Sequence, residues 1–340
     1  MQRFKNILLV YDSTEHGKST LKRAISLATI NRASLTVIDV IEEIPRDYQM
    51  LMTTLLPEKI MELAVKEQNE RLEHYITPIR EAGCKVNAKV LSGKVFLEII
   101  REVLRNKHDL VIKTARGKRR GGEILFGSTA MHLMRKCPCP VWVMKPGQSQ
   151  RYARILAAVD VTASDTKVNK LNTQIMDLAT SLAHLEQSEL HIVHAWNIPH
   201  EHLVREAHST SPGEIEKWEN ETRRLPQKNL DDFLKKYDLD KVKFQVHLLK
   251  GNVSNLIPEL VVNKRIDLIV MGTLCRTGIP GFFIGNTAER ILHRVDCSVL
   301  TVKPEGFNSP VTIDEEWIEH RYDSKNNNNY TDCNPVGMRF

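Results

Sequence analysis

The stretch that decides the fold is Asp267–Pro304, which reads DLIVMGTLCRTGIPGFFIGNTAERILHRVDCSVLTVKP. Its short apolar run ends at Gly272, which is typical of a buried parallel strand. A glycine-containing loop follows, a helix opens at Gly285, and Ser298–Val302 predicts the next strand. Backbone N–H groups of a glycine-rich turn and of a helix N-terminus attract anions. This order of elements therefore predicts a site that holds a phosphate.

A second stretch, Asp109–Pro146, shows the same order earlier in the chain. The gapless alignment begins before these stretches, with Gly93 on Gly251, and continues with Asp109 on Asp267, Gly127 on Gly285, Cys139 on Cys297 and Lys145 on Lys303. Repeats of this length are whole duplicated domains rather than solenoid units. Strands alternating with helices favour a parallel, doubly wound sheet that binds ligands at one edge. We therefore predict two tandem five-stranded parallel-sheet α/β sandwiches.

The apolar periodicity predicts the elements of both copies. The predicted strands are Lys5–Tyr11, Ser34–Val40, Lys85–Leu91, Asp109–Lys113, Val141–Met144, Arg154–Asp160, Glu189–Ala195, Phe244–Leu249, Asp267–Met271 and Ser298–Val302. The predicted helices are Ser19–Ala28, Glu58–Ala82, Phe96–Asn106, Ser128–Arg135, Thr173–Leu185, Leu225–Tyr237, Val253–Asn263 and one that begins at Gly285. An open sheet of this kind must also cover its edge strands.

Length and composition predict a soluble protein of two domains. The chain has 340 residues, of which 41% are hydrophobic and 26% charged, with a formal charge of +6. The charge favours anionic ligands only weakly, and no apolar run approaches the ~18 residues of a membrane span. The first residues run straight into a strand, so we expect a cytoplasmic protein without a membrane partner.

Domain boundaries follow from the repeat and from a change of composition. We predict a first domain over residues 1–148, a second over 149–306, and a polar, flexible C-terminal tail over 307–340. Six cysteines in a chain of this length form no disulfide framework. The close pair in Cys137-Pro138-Cys139-Pro140 has too few partners for a metal site, and we interpret it as a structural helix-to-strand turn.

Several residues of the two copies resemble those of a known family. An Asp after the first strand (Asp12 and Asp160), a late strand leading to G-x2-G-x9-G-[S/T], and a terminal Lys-Pro dipeptide are similar to the universal stress protein domain. Two copies, with Cys137-Pro138 in the first and Gly285-Asn286-Thr287-Ala288-Glu289 in the second, resemble the E-type tandem members. The resemblance implies an adenine-nucleotide-hydrolase-like α/β fold, in which some members bind ATP and others have a degenerate loop. Relatives cover the sheet edge by pairing domains through the last strand, so the resemblance also implies that Val141–Met144 pairs with Ser298–Val302 in an intramolecular pseudo-dimer.

The family's glycine motif is incomplete in both copies. The first copy reads Thr114-x2-Gly117-x9-Gly127-Ser128, and the second reads Gly272-x2-Cys275-x9-Gly285-Asn286 with Thr287 next. Glycine permits φ > 0 and lets the backbone approach a phosphate. We expect the β-branched Thr114 to place its side chain where a phosphate would lie, and Cys275 to fit poorly where φ > 0 is required. The resemblance thus implies two ATP-like pockets, and the departures leave open whether either binds.

Each residue carried over from the family has a structural alternative. Asp12 and Asp160 correspond to an Asp beside the nucleotide, with a ribose or metal role, or they cap the next helix. Ser128 and Thr287 donate hydroxyls to a phosphate or act as caps.

Val37 and Ile192 correspond to the position that packs on adenine, and both also suit an ordinary strand core. The basic residues Arg116, Lys118, Arg119 and Arg120 form a cluster that binds phosphate or an acidic partner, or else is a solvated loop. Without interleaved aromatic residues or a GxxxxGK[ST] motif, nucleic acid is not an expected partner. His191 and His194 are three apart on a strand, so they point to opposite faces and do not share a metal.

We infer a regulatory or sensing universal stress protein for stress resistance, not an enzyme, with protein partners that the sequence does not identify. It requires no cofactor, and ATP, another adenine nucleotide or another phosphorylated molecule is the expected ligand. Two alternatives stay open, namely a weak ATPase and a scaffold that binds no nucleotide. Self-association into a homodimer is also left open.

Overall fold

A computed structural model describes residues 3–12, 14–42, 57–115, 126–147, 151–162, 166–198, 201, 212–273 and 284–313. The first copy contains β1 (Asn6–Val10), α1 (Glu15–Asn31), β2 (Ser34–Ile41), α2 (Pro57–Glu81), β3 (Val86–Ser92), α3 (Val95–Asn106), β4 (Leu110–Thr114), α4 (Ser128–Lys136) and β5 (Val141–Met144). The second contains β6 (Arg154–Ala158), α5 (Thr166–Glu186), β7 (Glu189–Trp196), α6 (Pro212–Leu234), β8 (Phe244–Lys250), α7 (Val253–Lys264), β9 (Leu268–Gly272), α8 (Asn286–Leu292) and β10 (Ser298–Val302). The predicted fold class is confirmed.

The ten strands form one sheet in the order β3-β2-β1-β4-β5-β10-β9-β6-β7-β8. Neighbouring strands are parallel within each copy. The copies meet where β5 and β10 run antiparallel, with Trp142 opposite Leu300 and Val143 opposite Val299. The predicted pairing of these two strands, and hence the intramolecular pseudo-dimer, is confirmed.

Two apolar clusters, one on each face of the sheet, extend across both copies. At the junction Trp142 and Tyr152 are each 1% exposed, and their rings lie 5.9 Å apart. The guanidinium of Arg23 lies 4.0 Å from the centre of the Tyr152 ring and pairs with Glu186. Since Arg23 is on α1 and Glu186 is on α5, the helices of the two copies are joined through this contact as well as through the sheet.

The helix ends differ from the predictions for local reasons. Helix α1 begins at Glu15, four residues before the predicted start, because the Thr14 hydroxyl accepts a hydrogen bond from the Gly17 N–H at 3.3 Å. Helix α5 begins at Thr166 rather than Thr173. Its first turns are mostly polar, which weakens the apolar periodicity on which the sequence prediction depends.

The first residues of the predicted tail are packed on the protein. Val311 is 3% exposed and belongs to one of the apolar clusters. Arg101 of α3 donates to the Thr312 carbonyl at 3.4 Å. The assignment of residues 307–313 to a flexible tail is therefore corrected, since Phe307 and Val311 contact the rest of the protein. Residues 314–340 lie outside the described part, and the boundary between the domains stays a prediction.

No helix in the described ranges combines the length and the apolar character that crossing a membrane requires.

Candidate functional site

A cavity of about 750 Å³ opens at the carboxyl ends of β6, β7 and β9 in the second copy. The N-terminal ends of α7 and α8 and one side of α5 complete its walls. Its lining includes Asp160, Asn172, Trp196, Gly251, Gly272, Gly285, Asn286 and Thr287. This is the edge at which parallel α/β sheets bind ligands, so the cavity lies where the sequence predicts a site.

Five of the predicted site residues line this cavity, namely Asp160, Gly272, Gly285, Asn286 and Thr287. Ile192 does not line it; it is fully buried in the apolar cluster on the α5 side of the sheet, and its neighbour Val193 lines the cavity instead. In the first copy, Val37 is likewise fully buried in that cluster. The core interpretation of Val37 and Ile192 accordingly agrees with their positions.

Asp160 is held at the cavity by two neighbours. Its carboxylate Oδ1 accepts from the Thr162 hydroxyl at 2.7 Å. Its backbone N–H donates to Asn172 Oδ1 at 2.9 Å, and Asn172 Nδ2 returns a bond to the Asp160 carbonyl at 2.6 Å. Asn172 is a functional-site residue that the sequence analysis missed. The signal that could have found it is an amide on the face of α5 that otherwise carries Leu171 and Ile175.

In the first copy a glycine makes the corresponding contact between the helix and the end of the first strand. Gly17 occupies the position of Asn172, the same number of residues before the next strand. A Cβ at Gly17 would lie 1.6 Å from the Asp12 carbonyl oxygen, so the backbone of α1 approaches the end of β1 directly. Asp12 is buried, and its Oδ1 accepts from the Thr14 N–H at 3.1 Å. Asp12 thus makes the local turn that leads into α1, and Thr14 is the N-cap.

Gly272, the first glycine of the motif, is required by helix packing. A Cβ there would lie 2.6 Å from Leu171 Cδ2 and 3.5 Å from Ile175 Cδ1, both on α5. At the equivalent position Thr114 donates its hydroxyl to Thr20 of α1 at 2.9 Å. Both threonines are 2% exposed. The Thr114 hydroxyl is thus bonded to α1, and the expectation that its side chain lies at a phosphate position stays a prediction.

The helix starts leave their hydroxyl side chains exposed. Gly127 and Gly285 are the N-cap residues of α4 and α8, and a glycine has no side chain with which to cap. Ser128 and Thr287 lie beyond these caps and are not their N-cap residues. The capping alternative for Ser128 and Thr287 is thus wrong, whereas their interpretation as phosphate donors remains a prediction. Both glycines have φ near −60°, so backbone conformation alone does not require glycine at either N-cap.

A turn glycine shapes the rim beside Trp196. Gly251 has φ +129°, and its N–H donates to the Trp196 carbonyl at 2.9 Å. Trp196 is almost fully buried and contributes an aromatic surface to the wall. Lys250 next to the turn binds Glu201 and Glu219, each at 2.7 Å. Its ammonium is therefore already paired with two carboxylates.

Two histidines that lie far apart in the sequence are neighbours in the structure. His191 Nδ1 is 2.9 Å from His247 Nε2 and their rings are stacked, because β8 pairs beside β7 in the sheet. His194 points to the opposite face, where its Nδ1 contacts the Val159 carbonyl at 3.2 Å. The prediction that His191 and His194 face opposite ways is confirmed. Burial and the neighbouring His247 lower the pKa of His191 to about 4.

Several predicted residues lie outside the described ranges. They are Gly117 and the basic cluster Arg116, Lys118, Arg119 and Arg120, together with Cys275.

The architecture defines a tandem α/β protein with a ligand-sized cavity at the carboxyl edge of its second sheet half. The model of the universal stress protein family matches residues 3–145 and again 151–303. The chain therefore belongs to the universal stress protein family, and it carries two copies of the domain.

Known proteins resemble the chain over nearly its whole length. Universal stress protein E of Salmonella typhi is 29% identical over 326 residues, covering 93% of this chain and 99% of that protein. The universal stress protein E homolog of Haemophilus influenzae is 23% identical over 309 residues, covering 89% of this chain and 98% of that protein. The resemblance to the E-type tandem members is thus confirmed.

Solved structures share the fold. A functionally unknown protein from Pseudomonas aeruginosa PAO1 matches with a TM-score of 0.67 at 23% identity, covering 89% of this chain and 94% of that one. A universal stress protein from Archaeoglobus fulgidus DSM 4304 matches with a TM-score of 0.56 at 18% identity, covering 88% and 98%. At these identities the matches establish the fold alone.

Proposed function

We propose that the chain is a non-catalytic sensing module for stress resistance, and that its second copy binds an adenine nucleotide or another phosphorylated molecule. The observation that carries this proposal is the 750 Å³ cavity, which brings Asp160, Gly272, Gly285 and Thr287 together at the carboxyl edge of the sheet. Membership in the universal stress protein family supports the role in stress.

The wall chemistry supports a ligand with an apolar part and a hydroxyl-bearing part. Trp196, Val193 and Ile257 offer apolar and aromatic surface for a flat base. The Asp160 carboxylate can accept hydrogen bonds from ribose hydroxyls. Among the described lining residues Asp160 alone is charged, so a phosphate would rely on N–H groups at the start of α8 and on Thr287. These are features of a binding site rather than of a site that activates water.

Ligand-induced stabilisation tests the proposal. ATP, ADP, AMP and inorganic phosphate are each titrated while the unfolding midpoint is measured. A ligand of the native state at 100 times its Kd stabilises by about 2.7 kcal/mol. We expect an upward shift with at least one nucleotide. Ala195→Phe, which fills the cavity, removes the shift, whereas Val40→Phe at the equivalent place in the first copy retains it.

The other outcomes select between the alternatives. No shift with any nucleotide, in protein shown to be free of co-purified ligand, favours the scaffold and refutes the proposal. A shift accompanied by phosphate release that disappears in Asp160→Asn favours the weak ATPase. A shift that survives Ala195→Phe but disappears in Val40→Phe transfers the site to the first copy.

A further inference from the structure

Two thiols face each other in the turn that joins α4 to β5. Cys137 Sγ lies 3.6 Å from Cys139 Sγ, and both cysteines are free and buried. Cys137 is the C-cap of α4, and its N–H is bonded to the Leu133 carbonyl at 2.9 Å. The predicted helix-to-strand turn is therefore present. A disulfide needs an S–S length of about 2.05 Å, so the two sulfurs must approach each other by about 1.5 Å to be joined.

A buried lysine from the other copy lies beside this pair. Lys303 follows β10, is 6% exposed, and donates from Nζ to the carbonyls of Met134 at 2.7 Å and Arg135 at 2.9 Å. These carbonyls belong to the last turn of α4, which Cys137 ends. Burial lowers the pKa of Lys303 to about 7, and the nearby Cys137 opposes that change. The charge of Lys303 therefore acts on Cys137 from the two carbonyls that hold its ammonium.

The two thiols are chemically unequal. Burial acts to raise the pKa of Cys137, but hydrogen bonds from Cys139 and the charge of Lys303 reverse this and lower it. The pKa of Cys139 is raised well above its ordinary value by the hydrogen bond with Cys137 and by burial. A thiolate is the nucleophile in thiol oxidation, so Cys137 suits attack and Cys139 suits the second step.

The second copy provides a natural comparison. Cys297 occupies the position of Cys139, but Val295 replaces Cys137, so that turn has one thiol. Lys145 occupies the position of Lys303, yet it pairs with the Asp296 carboxylate at 2.9 Å instead of lying beside a thiol. The dithiol and its buried lysine are thus a departure of the first copy from the repeat.

A cavity lies next to the turn, although neither buried cysteine lines it. A cavity of about 300 Å³ is lined by Pro138 and Pro140, on either side of Cys139, and by Lys303 and Phe307. The Phe307 ring lies 4.6 Å from Lys303 Nζ. A hydroperoxide is small enough to enter a space of this size.

We propose that Cys137 and Cys139 are a reversible redox site that closes to a disulfide on reaction with a small hydroperoxide. The Cys137 thiolate attacks the terminal peroxide oxygen, an S–O bond forms and the O–O bond breaks. The alkoxide takes up the proton that Cys137 lost on ionisation and leaves as an alcohol, or as water when the hydroperoxide is hydrogen peroxide. Cys139 Sγ then displaces hydroxide from the sulfenic sulfur, which departs as water with the Cys139 proton. Two thiols are oxidised by two electrons, and the hydroperoxide is reduced to alcohol and water.

The test uses the full chain and hydrogen peroxide, after which free thiols are alkylated and the protein is digested without reductant. Cleavage after Lys136 and Arg151 gives one peptide that holds Cys137 and Cys139 and no other cysteine. We expect this peptide to lose both alkylation sites and two hydrogen atoms in mass, and to regain them after dithiothreitol. The Cys297 peptide is the matched control and stays alkylated.

Two further measurements test whether the folded structure, rather than the closeness of the two cysteines in the sequence, sets the rate of oxidation. The oxidation rate of native wild type is compared with that of urea-unfolded protein, and we expect native protein to react faster below pH 8. Lys303→Met shifts the pH profile of the rate upward, whereas Lys145→Met does not. The proposal is overturned if the Cys137 peptide remains doubly alkylated while Cys84 is oxidised, or if unfolded protein reacts at the same rate with the same pH profile.

Discussion

Replacing Gly272 by Ala tests whether this glycine serves helix packing. The new Cβ would lie 2.6 Å from Leu171 Cδ2 and 3.1 Å from its Cγ, whereas carbon atoms pack at roughly 3.5–4.0 Å. Leu171 is 4% exposed and lines the cavity, so its side chain must move toward that space to relieve the contact. Overpacking of this kind costs about 1–3 kcal/mol. Gly→Ala returns about 0.4–1 kcal/mol through the unfolded state, so we expect a net loss of about 1–2 kcal/mol.

A double-mutant cycle with Leu171→Ala tests whether the loss of stability comes from the contact with Leu171. That change alone should cost about 2–5 kcal/mol, but it also removes the atoms that the new methyl group would strike. The double variant should therefore be more stable than the sum of the single changes by about 1–2 kcal/mol. Urea unfolding followed by circular dichroism gives each free energy. Thr114→Ala combined with Leu171→Ala is the control, and it should be additive because Thr114 contacts Thr20 in the first copy whereas Leu171 contacts Gly272 in the second.

Additivity of Gly272→Ala and Leu171→Ala would refute the packing explanation. The requirement for glycine would then have to come from the ligand, and Gly272→Ala should weaken nucleotide binding while leaving stability unchanged. If helix packing explains the glycine, Gly272→Ala instead lowers the free energy of unfolding and changes any nucleotide affinity little.

Three further predictions address other parts of the protein. The pKa of His191 is lowered to about 4 from about 6.5 in the unfolded chain, so its contribution to stability is complete above pH 6.5 and is lost as the pH falls toward 4. Over this pH range the free energy of unfolding of His191→Gln, measured with urea, should fall by about 2 kcal/mol less than that of wild type. Equal losses in the two proteins would contradict this. Thr114→Gly should cost about 1–3 kcal/mol, because it breaks the buried bond to Thr20, and calorimetry with ATP should show no gain in affinity. Truncation after Ile313 should leave the melting temperature unchanged, whereas Val311→Ala should lower it, since Val311 is buried in an apolar cluster.

The fold was accessible from the sequence because its strongest signals are local and occur twice. Apolar runs such as Val141–Met144 and Ser298–Val302 match the observed strands to the residue. Their pairing was predicted from the family resemblance, because relatives cover the sheet edge by pairing domains through the last strand. The predicted start of α5 at Thr173 is too late. Val168 and Leu171 are buried and continue the apolar spacing of Ile175 and Leu178 toward the N-terminus, but the polar residues between them obscure this signal in the sequence.

The site was less accessible because its key contacts are between elements distant in sequence. The sequence shows that Thr114 replaces a glycine, but only the position of Thr20 explains why a threonine is accommodated. Likewise, the contact of His191 with His247 depends on the register of β7 and β8. The spacing of histidines along the chain gives no indication of this register.

The two copies show why a glycine motif is an ambiguous marker of nucleotide binding in this fold. In the first copy Thr20 lies opposite Thr114, and in the second Ile175 approaches Gly272. Each residue at the strand end is therefore matched to the helix above it, and exchanging one without the other would leave a clash or an unpaired hydroxyl. Loss of the first motif glycine in one copy thus reflects a polar helix contact. Whether a ligand binds depends instead on the cavity beside the strand end, which Asp160 and Trp196 line in the second copy.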